Sequence, residues 1–187
     1  TSAIADADGL GAFTYQWLRD GAAIAGATAS TYTLGDADVG TQISVQVSYT
    51  DAQGTGEGPL TSAQVGPVVN INDAPTATHL NMPETYTEGT AVDLTDIVVN
   101  DLDNGALTVT LTLSDPAAGT LSTGTSGAVT ASFAGGVWTA SGAIADVNTL
   151  LAGVAFTPAS GYNGDFTIAV SVDDGAAPAV TGVKAVT

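Results

Sequence analysis

Leu107-Thr108-Val109-Thr110-Leu111-Thr112-Leu113 sets an apolar side chain at every second position and a threonine at each position between. Successive side chains of a β-strand point to opposite faces, so this run predicts a strand with one face in a core and one toward water. The same period recurs on either side. Ile43, Val45, Val47 and Tyr49 alternate with Gln42, Ser44, Gln46 and Ser48, and Phe166, Ile168, Val170 and Val172 alternate with Thr167, Ala169 and Ser171. Between such runs lie the turn dipeptides Asp20-Gly21, Asn104-Gly105, Gly135-Gly136, Asn163-Gly164 and Asp174-Gly175. Many short strands with regular turns predict an all-β chain of antiparallel sandwiches. The one helical candidate is Val147–Ala152, with Asp146 placed to cap its start and Gly153 its end.

The chain has 187 residues, and at roughly 100–150 residues per domain this suits one large domain or two small ones. A boundary is expected at Asn70-Ile71-Asn72-Asp73-Ala74-Pro75. The strand-like stretch 63–69 runs into it, Pro75 holds the residue before it extended, and a new alternating pattern begins beyond. The expected domains are therefore 1–72 and 73–187, joined by a short polar linker.

Nineteen Asp and Glu stand against two Lys and Arg and one His, a formal charge of −17. Hydrophobic residues make up 44%, too many for a disordered acidic tail. Two cations cannot neutralise a phosphate backbone, so nucleic acid is excluded as a partner, and anionic lipid surfaces are disfavoured. No apolar run approaches the roughly 20 residues that span a bilayer, so membrane insertion is not expected. The chain has no Cys, which rules out disulfides, thiolate metal sites and a Cys nucleophile. Small uncharged side chains with scattered Asp suit a large secreted protein of a bacterial surface.

Tyr15-Gln16-Trp17-Leu18-Arg19-Asp20-Gly21, Ile24, Tyr32-Thr33-Leu34 and Asp38-Val39-Gly40 resemble the immunoglobulin-like (Ig-like) repeats of giant bacterial surface adhesins and haemolysin-type calcium-binding proteins. The resemblance covers residues 5–69. It implies a core Trp on strand C, a turn, strand E, and a corner into strand F, with the N-terminal strand lacking. Residues 70–187 resemble bacterial cadherin-like repeats. Asn72-Asp73-Ala74-Pro75 is similar to the end of the inter-domain linker of that family. Glu88, Asp101-Leu102-Asp103, Asp146 and Asp173-Asp174-Gly175 fall in the order of its calcium ligands. The chain departs from the family pattern at Asn70, Ala74 and Asn148. The implied fold is two tandem Greek-key β-sandwiches, Ig-like then cadherin-like.

On that scheme the acids collect at domain ends. Asp36, Asp38, Asn72, Asp73, Asp101, Asp103, Asp173 and Asp174 are expected at the junction. Asp6, Asp8 and Asp51 are expected at the N-terminal pole, and Glu88 and Asp146 at the C-terminal pole. Two carboxylates ~5 Å apart repel by roughly 3 kcal/mol at an effective dielectric of about 20. No Lys or Arg is expected near these loops, so a soluble cation is the natural counter-ion. Ca²⁺ accepts 6–8 oxygen ligands in flexible geometry, whereas Mg²⁺ demands octahedral strictness and the absence of His/Cys clusters argues against a transition metal. Each single Asp has the plainer explanation that its side chain bonds turn backbone.

Other signals are weaker. His79 is the sole His and is expected at the surface at the start of a strand, a poor basis for a catalytic triad. Lys184, the sole Lys, would support an isopeptide bond only if buried beside an Asn and an acid, and is expected in solvent. Paired acids for glycoside hydrolysis are present, but aromatics make up only 6% and the acids map to domain ends. No enzyme is expected. The expected function is a non-catalytic structural or adhesive module of an extracellular bacterial surface protein, with Ca²⁺ stiffening its junctions. Its partners would be neighbouring repeats or copies. Two alternatives remain open. One is a carbohydrate- or cell-binding module with Trp138 as a stacking platform for polysaccharide. The other is a filament subunit that assembles by strand complementation, with 180–186 as donor.

Overall fold

The computed structural model describes residues 4–7 and 9–187. Contacts divide the chain into two compact units, Thr1–Ile71 and Asn72–Thr187. Both are built from antiparallel sheets, and the chain is an all-β protein of the sandwich class.

The first unit contains β1 (Phe13–Arg19), β2 (Ala22–Ala23), β3 (Ile43–Thr50) and β4 (Gly56–Thr61), in the sheet order β2-β1-β3-β4. Asp20 and Gly21 both take positive φ, 47° and 83°, which lets Arg19 face Ala22 across a two-residue turn. Trp17 pairs with Val45 across the centre of the sheet. Its indole stacks on Tyr32 at 5.8 Å and donates to the Ala29 carbonyl at 3.0 Å. The expected strand at Tyr32–Leu34 does not form. A strand needs a neighbour to take its ladder hydrogen bonds, and no second sheet faces this one among the described residues. The 63–69 stretch likewise reduces to isolated bridges, Ile43 with Val65 and Val39 with Val68.

This single layer leaves apolar surface uncovered. Leu34, Val65 and Val69 are 52%, 74% and 82% exposed. A groove of about 460 Å³ is lined by Trp17, Tyr32, Leu34, Ile43, Val45 and Val65 among others. The alternation expected in β3 is blurred for the same reason: Ile43 and Ser44 are both buried, and Val45–Ser48 are all half-buried.

The second unit carries β5 (Thr76–Ala77), β6 (Val92–Asp93), β7 (Val99–Asn100), β8 (Ala106–Leu113), β9 (Gly119–Leu121), β10 (Thr125–Ser126), β11 (Val129–Thr130), β12 (Ser132–Ala134), β13 (Val137–Ala143), α1 (Ile144–Leu151), β14 (Ala155–Pro158), β15 (Phe166–Asp173) and β16 (Val180–Val186). One sheet has the order β12-β13-β8-β15-β16 and a second β6-β14-β9, with β5-β7 and β10-β11 as small pairs. Leu107, Val109, Leu111 and Leu113 all point into the core, as do Phe166, Ile168, Val170 and Val172. They meet Trp138, Phe156, Val147 and Leu151 from the other elements. Trp138 is fully buried, and its Nε1 donates to the Ser122 carbonyl at 3.0 Å.

Four expectations are corrected here. The helix begins at Ile144, not Val147, because Val147, Leu150 and Leu151 bury one face and draw the preceding turn into register. Asp146 therefore lies in its first turn, where an acid suits the helix dipole, and does not cap it. Val180–Val186 is not a free donor strand, since it pairs with β15 along its length. Lys184 is fully buried, its Nζ 2.7 Å from Oε1 of the buried Glu84. The alternation of β16 turns position 184 inward, and a charge there needs a charged partner.

Phe156→Ala empties a fully buried site against Tyr86 and Phe166. It is expected to cost the second unit about 3–5 kcal/mol, read as a fall in its urea midpoint with an unchanged slope.

Candidate functional site

The N-terminal pole of the second unit brings together most of the acids expected there. The loop after β7 turns on Asp101, whose Oδ1 accepts the amides of Asp103 at 2.8 Å and Asn104 at 2.7 Å. Asp103 Oδ2 then accepts the Asp73 amide at 2.6 Å, which ties the unit's first residues to this loop. From the other side, the loop after β15 turns on Asp173 and Asp174. Asp173 Oδ1 accepts the Gly175 amide, and Asp174 Oδ1 accepts the amides of Ala176 and Ala177. The two loops meet through carboxamides. Asn72 donates from Nδ2 to Asp174 Oδ2 at 2.6 Å, and Asn104 donates to Asn72 Oδ1 at 2.7 Å and to Asp174 Oδ2 at 3.3 Å.

Hydrogen bonds that favour the charged form keep Asp174 ionised. Asn72 contributes most, followed by the Ala176 and Ala177 amides, and together they hold its carboxyl below the usual range. Asp101 Oδ2 is buried without a hydrogen-bond partner. A buried carboxylate oxygen left unsatisfied is costly, and it is the atom here that a cation would satisfy. The side chains of these two loops carry hard oxygens of carboxylate and carboxamide, the type that Ca²⁺ takes. They are spaced by Asn72 and Asn104 rather than packed as a cage. Among the described residues no three His, Asp or Glu side chains form a ready-made metal-ligand group.

Asn104 was missed in the sequence, although its place directly after Asp101-Leu102-Asp103 was a usable signal. Leu102, between the two acids, is 65% exposed.

The remaining expected ligands are engaged in other ways within their own units. Asp38 is 1% exposed, and both of its oxygens are engaged. Oδ1 accepts Nε and Nη2 of Arg19 at 2.8 and 2.7 Å, Oδ2 accepts the Gly35 amide at 2.9 Å, and the Tyr32 hydroxyl donates at 3.0 Å. Burial alone would raise its carboxyl, but the Gly35 amide, Arg19 and Tyr32 together hold it below the ordinary value. The expectation that no cation stands near these loops is thus wrong for Asp38: strand alternation in β1 delivers Arg19 to it. Asp36 is exposed at the start of the short 3₁₀ turn Asp36–Asp38.

In the first unit, Asp6 Oδ2 accepts the Tyr49 hydroxyl at 2.8 Å, and Asp51 Oδ1 accepts the amides of Gln53 and Thr55 in the β3–β4 turn. The hydrogen bond to Asp6, reinforced by burial and by the charges of Asp6, Glu57 and Asp51, pushes the Tyr49 phenol up to about 12. Asp8 lies outside the described residues. Glu88 is exposed in the turn 87–90, and Asp146 accepts Ser126 Oγ at 3.1 Å against Gly127. His79 is exposed, with Nδ1 2.8 Å from the Asp96 carbonyl.

No family model matches the chain, and no curated protein matches it. A solved chimeric titin Z1Z2-Z1Z2 tandem, functionalised with an exogenous GRGDS peptide from fibronectin, is similar at 15% identity with a TM-score of 0.31. The match covers 92% of this chain and 82% of that one. The all-β assignment rests on the hydrogen-bonded sheets themselves.

Two titrations follow from this geometry. Asp6→Asn replaces the charged acceptor of Tyr49 by a neutral one, and the phenol, followed by ultraviolet absorbance, is expected to titrate closer to the ordinary value of about 10. Asp38 is depressed when folded, so its contribution is complete above the unfolded value of about 4 and is lost as pH falls through the folded value. The first unit is expected to lose stability in acid below about pH 4, and Asp38→Asn should flatten that part of its pH–stability curve while lowering stability at pH 7.

Proposed function

We propose that the chain is a non-catalytic structural module of a tandem-repeat protein exposed outside the bacterial cell, and that the N-terminal pole of its second unit takes Ca²⁺. The observation that carries this reading is the orphaned Asp101 Oδ2 in a cluster of carboxylates and carboxamides that has no Lys or Arg. Asp101, Asp103 and Asp174, with Asn72 and Asn104, would hold the ion. When bound, it supplies positive charge where the protein has none. Asn72 and Asp73 open the second unit, so an ion held beside them orders the chain as it enters that unit. In a tandem array this would stiffen each passage between repeats. Neighbouring repeats or copies are the proposed partners.

The two alternatives lose the residues they relied on. Trp138 is sealed in the core and offers no face to a sugar, and β16 is paired within its own sheet.

Titration calorimetry of chelator-treated protein tests the proposal. Ca²⁺ is expected to bind with a Kd on the order of 10⁻⁴–10⁻³ M, as in extracellular modules, and Mg²⁺ more weakly. Asp101→Asn keeps an oxygen for the Asp103 and Asn104 amides but removes the charge, and should weaken binding by roughly tenfold or more, about 1.4 kcal/mol. Absence of heat with Ca²⁺, or unchanged affinity in the variant, would overturn the assignment.

A further inference from the structure

The only lysine of the chain is also among its most deeply buried side chains, and no step of the proposed calcium site uses it. Lys184 Nζ donates to Glu84 Oε1 at 2.7 Å, to the Thr95 carbonyl at 3.2 Å and to the Met82 carbonyl at 3.5 Å. Glu84 in turn accepts the Thr95 amide at 2.9 Å and the Thr95 hydroxyl at 3.3 Å. Three separate segments of the second unit are therefore fastened at one buried point.

Two of those segments are the early stretch 80–86 and the final strand, and they run in parallel. Gly182 lies so close to Leu80 that a Cβ there would overlap it. The Val183 amide donates to Asn81 Oδ1 at 2.8 Å. The Glu84 amide donates to the Ala185 carbonyl at 2.8 Å, the Thr187 amide to the Glu84 carbonyl at 3.1 Å, and the Tyr86 amide to the Thr187 carbonyl at 3.0 Å.

Parallel pairing has a mechanical consequence. A pull on both ends of the chain draws the early segment toward its N-terminal end and the last strand toward its C-terminal end. The two slide past one another, and their hydrogen bonds are loaded together rather than one at a time. A slip of one residue, about 3.3 Å, carries Lys184 away from Glu84 and leaves two charges in an apolar interior without partners.

We infer that the buried Lys184–Glu84 pair is a shear latch, which makes the second unit resist tension along the chain. The inference rests on the reading of the chain as one module of a tandem array. A buried ion pair adds little to equilibrium stability compared with well-packed apolar residues. Its effect falls on the barrier to sliding, that is, on the unfolding rate.

The test is constant-force unfolding of the whole chain held by its two ends, in chelator so that the calcium proposal plays no part. The double variant Lys184→Met/Glu84→Gln replaces both charges at similar volume, and Val109→Ala creates a cavity in the core away from the latch. The double variant is expected to unfold its second unit roughly tenfold faster than the wild type at equal force, equivalent to about 1.4 kcal/mol at the barrier. Its urea midpoint should fall no further than that of Val109→Ala, whose rate under force should stay within about twofold of wild type. If the double variant does not fold, the wild type is pulled instead through handles at the exposed Ala134 and Ala152, neither of which lies in the early stretch or in β16. End-to-end pulling should then unfold it roughly tenfold more slowly than this second direction. Equal rates for wild type and double variant, or for the two pulling directions, would overturn the latch.

Discussion

The molecule is organised by a shortage of positive charge. Nineteen acids share two basic side chains, and both of these are committed internally, Arg19 to Asp38 and Lys184 to Glu84. Every other acid must be satisfied by backbone amides, by neutral side chains, by solvent or by a soluble cation. The turns answer with amides: Asp51, Asp101, Asp173 and Asp174 each accept one or more from the residues just after them. At the pole of the second unit this solution runs short by one buried oxygen, Asp101 Oδ2.

The two ion pairs differ in character. Arg19 is 32% exposed and reaches Asp38 from the end of an inner strand, so water still screens part of the pair. Lys184 is withdrawn from water altogether and Glu84 nearly so, and each charge depends on the other. The first unit has an open apolar groove beside its charged corner, whereas the second encloses a continuous core around its own. Completeness of the layers explains the contrast. A sheet covered on its inner face can seal a charge pair, and one left half-covered cannot.

The sequence was most legible where a strand has one dry face and one wet face. The runs in β8 and β15 alternate in the structure as they do in the sequence, residue by residue. It was less legible in β3, because alternation predicts burial only when a second layer exists to bury against. The pole acids of the second unit were readable as a group, since Asx turns and ion sites favour the same residues in the same loops. What was not readable was how each acid is used. Nothing local in Asp38-Val39-Gly40 tells that Arg19 arrives from another strand. Nothing local in Val183-Lys184-Ala185 tells that the inward position falls on the lysine and that Glu84, a hundred residues earlier, lies opposite.

A divalent ion that belongs at the pole should stabilise the second unit by binding its folded form alone. The direct measurement is the urea midpoint of each unit in chelator and in Ca²⁺, with ionic strength held constant. At a hundredfold excess over Kd the second unit should gain about 2.7 kcal/mol, while the first unit stays where it was. An unchanged second unit, or an equal gain from sodium chloride of the same ionic strength, would mean that the pole is an ordinary acidic surface.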